Sequence, residues 1–163
     1  MPPIRFLVAD DNTISRKLLC GLLDTREGWQ VCGEAENGME ATAKAAELKP
    51  DVVILDMAMP LVDGLHAAQA IHATAPAIPI LLYTMHNFAG LEIEAKKFGI
   101  RKVVSKTDAA QMLLAAIDEV LKSVEPATPA ILPQVVVDPA STLANSAGEL
   151  PPAPDGEGNS KVN

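Results

Sequence analysis

With 163 residues, of which 48% are apolar and only 3% aromatic, the chain has the length of one ordinary domain built on an aliphatic core. Twenty-one acids against 13 lysines and arginines give a net charge of −8, which argues against a surface that coats nucleic acid or anionic lipid. The longest apolar runs, Val52–Leu55 and Ile78–Leu82, fall far short of the roughly 20 residues that span a bilayer, and the run before Asp10 is too short for a signal-peptide core. Cys20 and Cys32 make neither a disulfide framework nor a zinc cluster, so two buried thiols in a soluble, cytoplasmic protein are expected.

In chain order, Ile4 to Ala9 predicts a strand ended by Asp10 and Asp11. Thr13 to Asp24 follows at helical spacing, with Asn12 or Thr13 as N-cap and Ile14, Leu18, Leu19, Leu22 and Leu23 as the apolar stripe. Trp29 to Ala35 reads as a second strand. Asn37-Gly38 turns into a helix over Met39 to Leu48, which Pro50 stops. Val52 to Leu55 is aliphatic throughout and closes on Asp56; a strand apolar on both faces belongs between two layers of helices. A helix over about Asp63 to Ala73, a strand from Ile80 to Thr84 and a helix over about Asn87 to Phe98, stopped by Gly99, come next. Ile100 to Ser105 holds the last strand. Ala109 to Lys122 forms the last helix, with Met112, Leu113, Ala116, Ile117, Val120 and Leu121 facing inward.

From Val124 the composition changes. Seven prolines fall in the last 40 residues, and five acids stand against one lysine, so residues 124–163 are expected to be a largely disordered or extended acidic tail. Gln134 to Val137 is its one apolar interruption. Residues 1–123 form the expected domain. Five strand–helix units imply a parallel sheet, and right-handed crossovers favour the flavodoxin-like (βα)5 sandwich with strand order 2-1-3-4-5. In that order the ligand crevice lies at the carboxyl ends of strands one and three.

Those ends carry the chemistry. Strand one delivers Asp10 and Asp11, strand three Asp56, strand four Thr84 and strand five Lys106. Three neighbouring carboxylates repel one another unless a cation or protons intervene. Hard oxygen ligands with spare coordination positions suit Mg²⁺ or Mn²⁺. A carboxylate facing a divalent ion, a lysine and a hydroxyl is arranged to accept a phosphoryl group.

This constellation, with Met59-Pro60-Leu61-Val62-Asp63-Gly64 beyond the central aspartate, closely resembles the receiver domain of two-component response regulators over about residues 3–122. The resemblance implies that Asp56 is the phosphoacceptor. It implies that Asp11, Asp56 and the backbone carbonyl of Ala58 bind Mg²⁺ directly, and that Asp10 acts through coordinated water. Lys106 would contact the phosphoryl group, and the Thr84 hydroxyl would move toward it as the switch. Pro60 and Gly64 would shape the covering loop.

Three positions depart from the family pattern. Val103 stands where receivers usually carry a switching aromatic, while Tyr83, beside Thr84, is expected to point away from the Thr84 side chain. Thr107 replaces the proline that often follows the lysine through a cis bond, so a trans peptide is expected. Met85 occupies a position usually small and should slow phosphorylation by small donors. His66 and His72, lacking matching carboxylates, read as surface residues; His86 lies near the site. Lys96, Lys97, Arg101 and Lys102 form a local basic cluster.

The implied partners are a sensor histidine kinase or histidine phosphotransfer protein, which would contact Thr13, Ile14 and Lys17, and an unidentified downstream protein. The receiver looks like those that usually carry a helix-turn-helix output domain, and no such segment follows Lys122 in this sequence, so direct nucleic-acid binding is not expected. Output is expected through a face of the fourth helix, fifth strand and fifth helix, as a monomer or a phosphorylation-dependent dimer. A dehalogenase-type phosphohydrolase would want an acid where Ala58 stands, and a flavin carrier would not place Asp10 and Asp11 in its first loop. A constitutive, unphosphorylated adaptor would not need Asp56 and Lys106. Apart from transfer to its own aspartate and the loss of that phosphate, no enzymatic activity is expected.

Overall fold

The computed structural model describes residues 1–86 and 88–124. The expected acidic tail therefore lies outside the described residues. Five strands, β1 (Ile4–Ala9), β2 (Trp29–Ala35), β3 (Val52–Leu55), β4 (Ile80–Thr84) and β5 (Ile100–Ser105), alternate with helices α1 (Thr13–Asp24), α2 (Gly38–Leu48), α3 (Gly64–Thr74), α4 (Leu91–Lys97) and α5 (Ala110–Ser123). All the pairings are parallel, and the order is β2-β1-β3-β4-β5. This is the expected flavodoxin-like sandwich. No described helix is long and apolar enough to cross a membrane.

The central strands are apolar on both faces because each feeds two cores. Leu7, Ala9, Val53, Leu55, Ile80 and Leu82 pack under α2, α3 and α4. Phe6, Val8, Val52, Ile54 and Leu81 pack under α1 and α5, in step with the two-residue period of a strand. The helices enter on side-chain caps where the sequence offers them. Asn12 accepts from the Ser15 amide, Asn37 from Glu40 and Asp63 from His66, each satisfying a donor that the first helical turn leaves open.

Four expectations need correction. On α1 the buried positions are Arg16, Leu19 and Leu23, while Ile14 and Leu18 are 73% and 71% exposed. Half of that helix is apolar, so spacing alone does not select the face that meets the sheet. Met112 on α5 is likewise exposed, beside the buried Leu113. Helix α4 begins only at Leu91, because Gly90 adopts a left-handed φ of 94°, which an α-helix does not accommodate. Cys20 and Cys32 are free and half-buried rather than fully buried. Burial pushes the Cys20 thiol up to about 11 and raises Cys32 as well, so neither is a ready thiolate at neutral pH.

Helix α2 ends on Lys49 at φ 48° and ψ 62°, a left-handed cap that favours glycine. Lys49→Gly is expected to stabilise the fold by about 0.5–1 kcal/mol, the strain of a side chain at positive φ outweighing the added chain entropy. Urea unfolding of both proteins checks this.

Candidate functional site

The sheet hydrogen bonds continue one residue past the strands and set the site's frame. The Asp10 amide donates to the Ala35 carbonyl at 3.0 Å, the Asp56 amide to Ala9 at 2.8 Å, and the Lys106 amide to Thr84 at 2.9 Å. The side chains that leave the strand ends therefore converge. Carboxylate oxygens of Asp10, Asp11 and Asp56 lie within 4.8 Å of one another. Asp10 and Asp56 are buried, and Asp11 is exposed.

Lys106 reaches across from β5 and joins two of them. Its Nζ lies 2.6 Å from Asp10 Oδ2 and 3.1 Å from Asp56 Oδ2. Burial works against the ammonium, yet Asp10 and Asp56 together hold its pKa above the ordinary lysine value. Burial pushes the Asp56 carboxyl above its ordinary value, with Lys106 opposing and Asp10 reinforcing the rise. One ammonium does not balance three carboxylates. The deficit is what a divalent cation would supply.

The oxygens themselves separate the roles. Asp10 is already engaged: Oδ1 accepts from the Asn12 amide at 2.9 Å, and Oδ2 accepts from Ser15 Oγ and Lys106 Nζ, both at 2.6 Å. Asp56 Oδ1, by contrast, is buried with no hydrogen-bond partner among the described residues. An orphaned carboxylate oxygen beside the exposed Asp11 is a donor set suited to Mg²⁺ or Mn²⁺, whose hard charge takes oxygen ligands and keeps water in the remaining positions.

A crevice of about 810 Å³ opens over these groups, with Asp11, Asp56, Ala58 and Lys106 on its polar side. Ile14 and Leu18 of α1, together with Tyr83 and Met85, form its apolar side. Met85 is 61% exposed there. The Tyr83 ring stands 5.9 Å from Lys106 Nζ and packs with the α1–α5 core. Val103 is half-buried against the opposite core, under α2, α3 and α4.

Thr84 does not bond to any of these side chains. It is fully buried, and its Oγ1 accepts from the His86 amide at 3.1 Å. The Lys106–Thr107 peptide is trans, and the Ser105 and Thr107 hydroxyls are hydrogen-bonded at 2.7 Å. His66 does have a carboxylate partner, contrary to expectation: its Nδ1 lies 2.8 Å from Asp63 Oδ2, one helical turn away. The basic cluster is mixed in charge, since Lys102 pairs with Glu119 at 3.0 Å.

Two polar neighbours of Asp10 escaped the sequence reading. Ser15 donates to Asp10, and Arg16 donates to the Asp10 carbonyl from within the α1 interface. The available signal was a single arginine at the helical spacing of Leu19 and Leu23.

Residues 6–118 match the profile of the response regulator receiver domain. The chain belongs to that family. It is 32% identical over 119 residues to the chemotaxis protein CheY of Listeria monocytogenes, covering 73% of this chain and 99% of that protein. It is 31% identical to a protein-glutamate methylesterase/protein-glutamine glutaminase of a Nocardioides strain, covering 93% of this chain and 44% of the relative. It is 33% identical to the transcriptional regulatory protein LnrK of Bacillus subtilis, covering 70% of this chain and 52% of that protein. The chain thus spans about half the length of those last two relatives, and their whole-protein activities are not assigned to it. Among solved structures, the response regulator domain of Thermotoga maritima CheB superposes with a TM-score of 0.69 at 32% identity, covering 76% of this chain and 99% of that one. A LuxR-family response regulator from Aurantimonas gives 0.72 at 29% identity, with 78% and 91% coverage.

The chain is thus a receiver domain of two-component signalling, and its Asp10, Asp11 and Asp56 group is consistent with phosphorylation and a Mg²⁺ site.

Proposed function

We propose that Asp56 is the phosphoacceptor, receiving a phosphoryl group from the histidine of a sensor kinase or phosphotransfer protein. The observation that carries this reading is the divided state of its carboxylate: Oδ2 is held by Lys106, and Oδ1 has no partner among the described residues. Attack by an Asp56 oxygen forms the acyl phosphate and breaks the donor P–N bond, whose electron pair stays on the imidazole. Lys106 offsets charge on the transferred group. Mg²⁺, held by Asp11, Asp56 and the Ala58 carbonyl, would supply further charge compensation for the phosphoryl oxygens. Asp10, already accepting from Asn12, Ser15 and Lys106, orients the lysine and acts on a metal through water.

The acyl phosphate then carries about 1.5–2 negative charges on its phosphoryl oxygens in place of the single carboxylate charge, and the Thr84 hydroxyl becomes a donor to them. That bond biases the loop after β4, and with it the face of α4, β5 and α5, between two arrangements. Output is contact with a downstream protein at this face, where Ile93 is 69% exposed beside Lys96, Lys97 and Arg101. Residues 1–123 form the functional unit of this scheme, which takes place in the cytoplasm.

Incubation with acetyl phosphate and Mg²⁺, followed by intact mass measurement, tests the reading. One added phosphate that Asp56→Asn does not acquire supports it; the same gain in both proteins places the acceptor elsewhere. Met85, standing over the crevice, adds a second expectation. Met85→Ala is labelled faster than the native chain by this small donor, and equal rates would remove Met85 as an obstacle.

A further inference from the structure

Arg16 is buried in the α1 interface at 6% exposure, where helical spacing calls for an apolar side chain. Its guanidinium makes three hydrogen bonds in three directions. Nη1 donates to the Asp10 carbonyl at 2.7 Å, Nε to Glu34 Oε2 at 2.8 Å and Nη2 to Glu36 Oε1 at 3.0 Å. The fork thus ties the end of β1 to the end of β2 and the turn beyond it. That turn is held in its own right, since the Glu36 amide donates to the Glu40 carboxylate at 3.0 Å.

The carbonyl that Arg16 grips belongs to the peptide joining Asp10 to Asp11. Fixing that peptide plane fixes the position of the Asp11 N–Cα bond and so restricts the directions in which the Asp11 side chain leaves the turn. Asp11 is exposed, and no side-chain hydrogen bond of its own orients it among the described residues. A lone guanidinium so near the acidic group would also compete with a cation for it. Glu34 and Glu36 remove that conflict, because their two charges more than cancel the arginine's. Orientation is thereby separated from neutralisation. A leucine would fill the space without holding the carbonyl, and a lysine would lack the planar fork that serves three acceptors at once.

We propose that Arg16, with Glu34 and Glu36, is a positioning unit that aims the Asp10–Asp11 turn for divalent-cation binding without repelling the cation. The inference rests on the reading of Asp11 and Asp56 as metal ligands. Removing an outer-shell partner of a metal ligand costs about 10–100-fold in affinity, and that loss is expected for Arg16→Met and Arg16→Lys. Glu34→Gln/Glu36→Gln keeps the hold on the Asp10 carbonyl but uncovers the arginine's charge. It is expected to weaken binding several-fold, by an amount that shrinks as salt is added.

Mg²⁺ titration by calorimetry, paired with melting curves of the metal-free proteins, separates positioning from mere support. A purely structural arginine would lower the melting temperature and leave the Mg²⁺ affinity of the folded variants unchanged; that result overturns the inference. Should Arg16→Met fail to fold, Arg16→Lys and the double glutamine variant decide it, wild-type affinity in both being the refutation. Absence of Mg²⁺ binding by the native chain would instead overturn the reading of the site itself, and this inference with it.

Discussion

Asp56→Asn is expected to abolish labelling by phosphodonors and at the same time to raise the melting temperature of the metal-free protein. The two effects have one cause. Asp56 shares with Asp10 and Asp11 a space in which carboxylate oxygens approach within 4.8 Å, and burial already makes its ionisation unfavourable. A carboxyl whose folded pKa is raised contributes stability at low pH that is lost as pH rises through that pKa, so at neutral pH the ionised form is a burden. The amide removes that burden, and the loss of the Lys106–Asp56 contact is softened by the remaining contact with Asp10. Adding Mg²⁺ should reverse the ranking. A ligand at 100 times its dissociation constant stabilises by about 2.7 kcal/mol, and the native chain should gain this while the asparagine variant gains little. Melting curves with and without Mg²⁺, alongside intact mass after acetyl phosphate, read all three results. A variant melting below the native chain without metal would contradict the electrostatic account.

The second large effect is expected from Gly64→Ala. Gly64 opens α3, where alanine is ordinarily better than glycine by about 1 kcal/mol. Here the sign reverses. A Cβ at Gly64 would stand 2.0 Å from the Asp56 carbonyl oxygen and 2.9 Å from Met57 Cα, both backbone atoms with no rotamer in which to yield. The Gly64 amide also donates to the Met57 carbonyl at 2.9 Å, which pins the helix start against the residues that follow the acceptor. Relieving the clash therefore moves either α3 or the Asp56 backbone. A loss of about 3 kcal/mol, the upper range for overpacking, is expected in urea unfolding. Phosphorylation of the folded fraction should slow as well, because the new methyl group presses directly on the Asp56 main chain. Unchanged stability would mean that the close approach of these segments is not maintained in solution.

How much of this was legible in advance differs by level. Strand order and layers were readable because Val52 to Leu55 is apolar at every position, which only a strand covered on both sides tolerates. The convergence of Asp10, Asp11, Asp56 and Lys106 followed from topology, since in a parallel sheet of this order the carboxyl ends meet. Orientation was not readable. Ile14 and Leu18 lie at helical spacing but line the crevice instead of the sheet, while Arg16, Leu19 and Leu23 take the buried face. The start of α4 depended on the backbone conformation at Gly90, and glycine permits that conformation without requiring it. The hydrogen bonds to Asp10 come from groups two, five and 96 positions away, so they could not be seen in the acidic pair alone.

The Thr84 hydroxyl has a consequence of its own. By accepting from the His86 amide, its oxygen uses a lone pair and keeps its proton free. A newly arrived anion can therefore recruit that proton without first breaking anything. If the side chain swings to meet it, the oxygen draws the following main chain along like a short tether. Displacement of the 85–86 segment would then scale with how far the threonine travels, so a valine at this site, equal in shape but lacking oxygen, would leave the chemistry running with its message undelivered.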